Sequence, residues 1–161
     1  MTSDKKTFNE YLQFDKRRFA IPLFQRKYSW QREQAQQLFN DMKNLQNRGE
    51  HFCGSVVYVS DGRDDSNQRH VIIDGQQRLT TVSLMYFALY SLWKEVDTET
   101  AEMDILYRHI RIRPLGDEGI KFDHIPDDKI IYTDIINERR RHPNTNFYQR
   151  LIIQVQVDGM K

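Results

Sequence analysis

The sequence lacks the features that mark secreted and membrane-spanning proteins. Only one of its 161 residues is a cysteine, Cys53, which excludes an internal disulfide. The longest apolar-leaning run, residues 79–93, is interrupted by Thr80, Thr81 and Ser83, and it is shorter than the ~20 residues that a membrane span needs. The first residues are polar and contain no apolar signal segment. We therefore expect a cytoplasmic protein with no membrane partner.

An excess of charge of one sign is also missing. The chain has 24 basic and 23 acidic residues and a formal net charge of +1, so any contact with nucleic acid must be a local patch. Its 39% hydrophobic and 29% charged residues are typical of one globular domain. The histidines have neither helical spacing nor a partner cysteine, so we expect no structural metal site and place most of them on the surface. They are His51, His70, His109, His124 and His142.

The residues from His70 to Thr81 combine a β-rich run with the start of a helix. The β-branched run after His70 predicts a short strand buried on both faces. Asp74 and Gly75 then predict a turn into a long apolar helix. Asp74 is a good N-cap, and Gln77 lies three residues further on, so the pair predicts a capping box.

Arg78 is unusual in this position. A cation in the first turn faces the positive end of the helix dipole, a mismatch of about 0.3–1 kcal/mol unless an anion compensates. Unpaired backbone N–H groups and the close approach that Gly75 permits favour a phosphate site. Further neutral donors come from Gln76, Gln77, Thr80 and Thr81. The alternative is that Arg78 pairs with a carboxylate elsewhere and the helix is merely capped; spacing alone leaves both open.

A second candidate is the loop of residues 23–30, which places aromatic side chains among polar and basic ones. Aromatic faces with neighbouring cations can stack a base and hold its phosphates. The alternative is that Phe24 and Trp30 anchor the loop in the core while Lys27 is solvated. The residues concerned are Phe24, Gln25, Arg26, Lys27, Tyr28 and Trp30.

The hydrophobic pattern predicts an α+β fold. It indicates helices near residues 5–13, 29–46, 78–95, 98–107 and 126–141, a strand at 19–21, and hairpins formed by 52–60 with 70–73 and by 110–114 with 119–123. Leu89 and Trp93 are expected on the inward face of the central helix, and Ile130 on that of the last helix. Periodicity does not decide between helix and strand for residues 147–157.

Two motifs in order, Ile21-Pro-Leu-Phe-Gln-Arg-Lys-Tyr-Ser-Trp30 and Ile73-Asp-Gly-Gln-Gln-Arg-Leu-Thr-Thr81, resemble the N-terminal domain of the GmrSD-type modification-dependent restriction proteins. The resemblance covers about residues 7–137. It implies a ParB/sulfiredoxin-like small mixed sheet with flanking helices in residues 1–138, followed by a linker and the start of a C-terminal extension in 139–161. The HNH-type nuclease domain usual in the family is absent, so we expect a piece of a longer protein or a split subunit that does not cleave DNA alone.

The resemblance also implies a function. The family's domain binds and often hydrolyses a nucleoside triphosphate with Mg²⁺, and couples this to recognition of modified DNA and control of a nuclease in phage defence. It implies catalytic roles for Asp74 and Arg78, with Asp74 either capping the helix or placing Mg²⁺ through water. The implied nucleotide-binding residues are Gln25, Arg26, Tyr28, Trp30, Gly75, Gln76 and Gln77, to which the neutral donors Thr80 and Thr81 are added.

Two other functions are left open by the sequence. One is a DNA-binding module without nucleotide chemistry, which would use Arg26, Lys27, Tyr28 and the basic run at residues 139–141. The other is a scaffold that pairs with a separate nuclease through residues 147–157. The base of the nucleotide, the DNA modification and the oligomeric state are not specified by the sequence.

Overall fold

The computed structural model describes residues 5–13, 17–45, 50–60, 69–96, 100–111 and 119–137. Within these ranges the chain forms five helices and one small mixed sheet of four strands, which confirms the α+β fold. The basic run at 139–141 and the segment 147–157 lie outside the described residues.

The elements follow local sequence signals. Thr7 caps the first helix in a reciprocal capping box with Glu10, Thr100 accepts from the Met103 N–H at the fourth, and Pro126 opens the fifth. In chain order the elements are α1 Phe8–Leu12, β1 Arg18–Ala20, α2 Arg32–Lys43, β2 Val57–Ser60, β3 Arg69–Asp74, α3 Gln76–Val96, α4 Ala101–Ile110, β4 Phe122–Asp123 and α5 Pro126–Ile136.

The sheet has the order β2-β3-β1-β4. β1 pairs in parallel with β3 on one side and β4 on the other, so that Phe19 lies between His70 and Phe122. β2 pairs antiparallel with β3, as the first predicted hairpin requires. The carboxyl ends of β1, β3 and β4 therefore lie at one edge of the sheet, which is where ligands bind in open sheets of this kind. There the chain continues into the loop before α2, into α3 and into α5.

The core lies between the sheet and α3, whose first half is buried. The largest fully buried apolar side chains include Leu12, Phe19, Ile72, Leu79, Val82, Leu84, Ile110 and Tyr132. The prediction that Leu89, Trp93 and Ile130 face inward is wrong, because these side chains are 43%, 40% and 54% exposed. β3 is buried on one face only: His70 and Ile72 point inward, whereas Ile73 is 39% exposed.

Two predicted strand assignments change. The strand expected at 52–60 begins only at Val57, and Gly54 inside the expected range has a φ of 93° that extended strands do not adopt. In the second predicted hairpin, Arg111 and Ile120 do form an antiparallel bridge. However, Phe122–Asp123 joins the main sheet, in parallel with β1.

The expectation of surface histidines is wrong for His70, His109 and His124, which are all buried. The rings of His70 and His109 stack on Tyr58 and Tyr86, at centroid distances of 4.0 and 4.2 Å. His124 directly follows β4. In the described part of the chain, the helices are too short or too polar to cross a bilayer.

Candidate functional site

The turn between β3 and α3 depends on Gly75. Its φ is 90°, and a Cβ added to it would lie 3.0 Å from the Ser55 carbonyl oxygen and 3.1 Å from Val56 Cγ2. Such a conformation and such an approach favour glycine. Asp74 is still the last residue of β3, in register with Val57, so it does not cap the helix. The predicted capping box is therefore wrong.

Gln77 was predicted to complete that box, but its amide faces the loop before α2. Its Oε1 accepts hydrogen bonds from the N–H groups of Ser29, at 2.8 Å, and Trp30, at 3.4 Å. Its Nε2 donates to the Lys27 carbonyl at 3.1 Å. With both ends of the amide engaged in a buried position, Gln77 fastens the loop across the first turn of α3.

Gln76 and Gln25 extend this attachment. Gln76 Nε2 donates to the Arg26 carbonyl at 3.0 Å, and Gln25 Nε2 donates to the Ile73 carbonyl at 2.8 Å. Because a carbonyl can only accept a hydrogen bond, the bond to Arg26 identifies the contacting atom of the Gln76 amide as the Nε2 donor. Gln76 Oε1 is buried and has no hydrogen-bond partner among the described residues. Buried acceptors of this kind call for an explanation, such as a ligand that supplies a donor.

Tyr28 connects the loop with two helices. Its hydroxyl lies 2.8 Å from Thr81 Oγ1, which itself donates to the Gln77 carbonyl at 2.8 Å. Its backbone N–H donates to Asp128 Oδ2, in the first turn of α5, at 2.7 Å. Burial raises the pKa of Tyr28 to about 12, so the hydroxyl stays protonated at neutral pH. The loop is therefore held between the N-terminal ends of α3 and α5.

Arg78 lies in the first turn of α3, at the N-terminal end of the helix. Its Nη1 donates to the Ser55 carbonyl at 3.1 Å, and the first turn of α3 contains no acidic residue. Within the described ranges, its hydrogen bond is thus to a neutral group, not to the carboxylate that the alternative interpretation required. The unfavourable interaction with the helix dipole remains, and an anion at this turn would relieve it.

The other charged groups lie around the turn. Lys27 forms an ion pair with Asp127, and both side chains are exposed. Burial raises the pKa of Asp128, opposed by the Tyr28 N–H and the Lys27 charge. Arg26 and Asp74 are exposed to solvent. On this loop Arg26 and Lys27 are both exposed, whereas Tyr28 is half-buried with its hydroxyl and its N–H engaged.

The structure brings the two predicted motifs together at one place. Thr80 is buried in the same helix turn as Thr81, and Trp30 packs against the core. Phe24, however, is 76% exposed, so only Trp30 anchors the loop in the way the alternative proposed.

Sequence reasoning missed Gly54, Ser55 and Asp128. A glycine inside the strand-like run 52–60 was a signal of close backbone approach. Asp128 carried no signal beyond an acidic residue at a helix start.

The turn fits an anion. A helix that begins at Gln76 leaves the N–H groups of its first turn without partners in the helix. These donors, the Arg78 charge and the missing Cβ of Gly75 all lie at the carboxyl ends of the parallel strands. Within the described ranges, no group of three or more His, Cys, Asp or Glu side chains could hold a metal ion by itself.

These features define an α+β domain with a glycine–arginine turn at the carboxyl edge of its sheet. A family model for the GmrSD restriction endonuclease N-terminal domain matches residues 8–156. The chain belongs to this family, and its role is in a restriction system. No curated protein matches it.

Proposed function

We propose that this domain binds a nucleoside triphosphate with Mg²⁺ at the turn between β3 and α3, hydrolyses it, and thereby regulates a modification-dependent restriction system. The observation that supports this most strongly is the attachment of the loop 23–30 across the first turn of α3, chiefly through Gln77. This attachment places the loop, with its aromatic and cationic side chains, beside the turn that we propose as the phosphate site. The two segments can then bind one nucleotide together.

The phosphates lie against the first turn of α3. The backbone N–H groups of Gln76 and Gln77 hold phosphate oxygens, and Gly75 allows the close approach. Arg78 balances their negative charge and stabilises the charge that develops when the terminal phosphate leaves. The absence of an acidic residue in this turn fits a polyanion.

Asp74 is the residue that places Mg²⁺. Mg²⁺ keeps several waters and uses one or two carboxylates together with substrate phosphates, so a single exposed carboxylate beside the phosphate turn suffices. The ion, when bound, neutralises phosphate charge. Because Asp74 lies in β3 and caps no helix, its carboxylate is available for this role.

The nucleoside extends toward the loop. Gln25, Tyr28 and Trp30 hold the loop in place from the inside, through the bonds described above, while Arg26 is exposed beside it. Gln76 Nε2 holds the Arg26 carbonyl, and so keeps the exposed Arg26 beside the turn.

The restriction family points to DNA as the target and to a nuclease domain or subunit as the partner. Nucleotide binding here would control that nuclease, with modified DNA as the signal and phage defence as the purpose. The cytoplasm is where such a system meets incoming DNA.

A thermal-unfolding series tests the proposal. The chain is heated with each of the four common nucleoside triphosphates and Mg²⁺, and at least one is expected to raise the melting temperature. A ligand at 100 times its Kd stabilises the folded state by about 2.7 kcal/mol. Arg78→Ala should abolish the shift. Arg108→Ala, which removes an arginine paired with Asp104 on α4, should keep it.

The absence of a shift with all four nucleotides would overturn the proposal. Phosphate release by the wild type and by Asp74→Asn, which keeps the side-chain shape without the charge, tests hydrolysis and the role of Asp74. Equal release rates would exclude Asp74 as the residue that places Mg²⁺.

A further inference from the structure

We infer that Gly54 and the Ser55 carbonyl form a platform that positions the Arg78 guanidinium for the nucleotide phosphates. This inference rests on the proposed function. It assigns a role to a segment, residues 54–56, that contributes no charged or catalytic group of its own.

The guanidinium of Arg78 lies directly over Gly54. A Cβ added to Gly54 would be 2.7 Å from Arg78 Nη2, 2.8 Å from Cζ and 2.9 Å from Nη1. Because these distances are nearly equal, the guanidinium presents its flat face to the position that a Gly54 Cβ would occupy. Real Cβ atoms do not approach other heavy atoms so closely, so any side chain at this position would push the guanidinium away.

Ser55 fixes the guanidinium in its own plane. Its carbonyl oxygen accepts a hydrogen bond from Arg78 Nη1 at 3.1 Å. The guanidinium is therefore held at its face by Gly54 and at one edge by Ser55. Nη2 and Nε make no hydrogen bond to the described residues, and they can bind phosphate oxygens in the fork geometry that suits bidentate binding. A long side chain that is already oriented loses less rotamer freedom when the ligand binds.

The same segment also touches the phosphate turn. The Cβ position of Gly75 is 3.0 Å from the Ser55 oxygen and 3.3 Å from Val56 Cα. The two glycines have φ values of 93° and 90°, so both contacts require glycine-like backbone. Residues 54–56 therefore link the turn that offers N–H groups to the arginine that offers charge, and they set the distance between them.

A double-mutant cycle tests this inference. The four proteins are the wild type, Gly54→Ala, Arg78→Lys and the double variant, and the measurement is the Kd of the Mg²⁺-nucleotide that stabilises the wild type most. Lysine keeps the charge but has no flat guanidinium to displace. Gly54→Ala should weaken binding about tenfold or more in the wild type, since an oriented hydrogen bond to a charged group is lost. In the lysine background it should change Kd less than about twofold.

The strain that alanine brings at positive φ is present in both backgrounds and cancels in the cycle. As a control, Arg108→Ala on α4, which removes the partner of Asp104, should leave Kd unchanged. If Gly54→Ala does not fold, Gly54→Asn takes its place, because asparagine tolerates positive φ better and has the same Cβ.

Equal losses in both backgrounds, or no loss in the wild-type background, would overturn the positioning role while leaving the nucleotide site intact. A wild type that binds no nucleotide would instead overturn the proposed function, and the inference with it.

Discussion

Gln77 offers the sharpest test of how the site is assembled. Gln77→Ala removes the acceptor for the Ser29 and Trp30 N–H groups and the donor to the Lys27 carbonyl. A polar group left buried without a partner costs about 1–3 kcal/mol. The Ser29 and Lys27 bonds are partly buried, so each is expected near the low end of that range. The free energy of unfolding should therefore fall by about 2–3 kcal/mol.

The assay is urea unfolding with linear extrapolation to water. The matched control is Gln37→Ala on α2, where the glutamine makes an exposed bond to Asp41 at 2.8 Å. An exposed pair at this spacing contributes about 0.2–0.5 kcal/mol. If Gln77→Ala costs no more than Gln37→Ala, the loop is not held by this side chain and the description of the site is wrong.

Three further predictions concern Gln76 and Gly75 at the turn and His124 in the core. Gln76→Leu removes the unpartnered Oε1 together with one hydrogen bond, so urea unfolding should shift by no more than about 1 kcal/mol while nucleotide affinity falls; unchanged affinity would contradict this. Gly75→Ala should cost about 2 kcal/mol or more in the same assay, because its Cβ meets backbone at a φ of 90°. Burial lowers the pKa of His124 from 6.5 to about 3, so stability is full above 6.5 and falls with pH down to about 3. Relative to His124→Leu, the wild type should lose about 2 kcal/mol between pH 6.5 and about pH 5; parallel stability curves would refute this.

The local features of the site could be predicted from the sequence. The clash of Arg78 with the helix dipole and the need for a glycine at position 75 follow from short-range geometry, and the structure has both. These two predictions succeed because they depend on neighbours within a few residues. The two motifs also meet, but across 48 to 50 residues of chain, a contact that the family resemblance implied and that local geometry does not encode.

The direction of the polar side chains could not be predicted. A local capping bond to Asp74 was expected for Gln77, but three bonds to the loop replace it. Likewise β4 pairs in parallel with β1, a long-range choice that alternation within residues 119–123 does not encode. The hydrophobic periodicity identified the apolar face of α3 that contains Leu89. It did not indicate how much of that face is buried.

The proposed nucleotide site lies where the loop 23–30 crosses the first turn of α3. At 19.4 kDa the chain suits amide NMR, so the site can be located by titrating the ¹⁵N-labelled protein with the stabilising nucleotide and Mg²⁺. We expect saturable shifts of the amide signals of Gly75, Gln76, Gln77 and Arg78 and of the loop, and none of these in Arg78→Ala. Shifts confined to other parts of the molecule, or no shifts at saturating nucleotide, would contradict the proposed site.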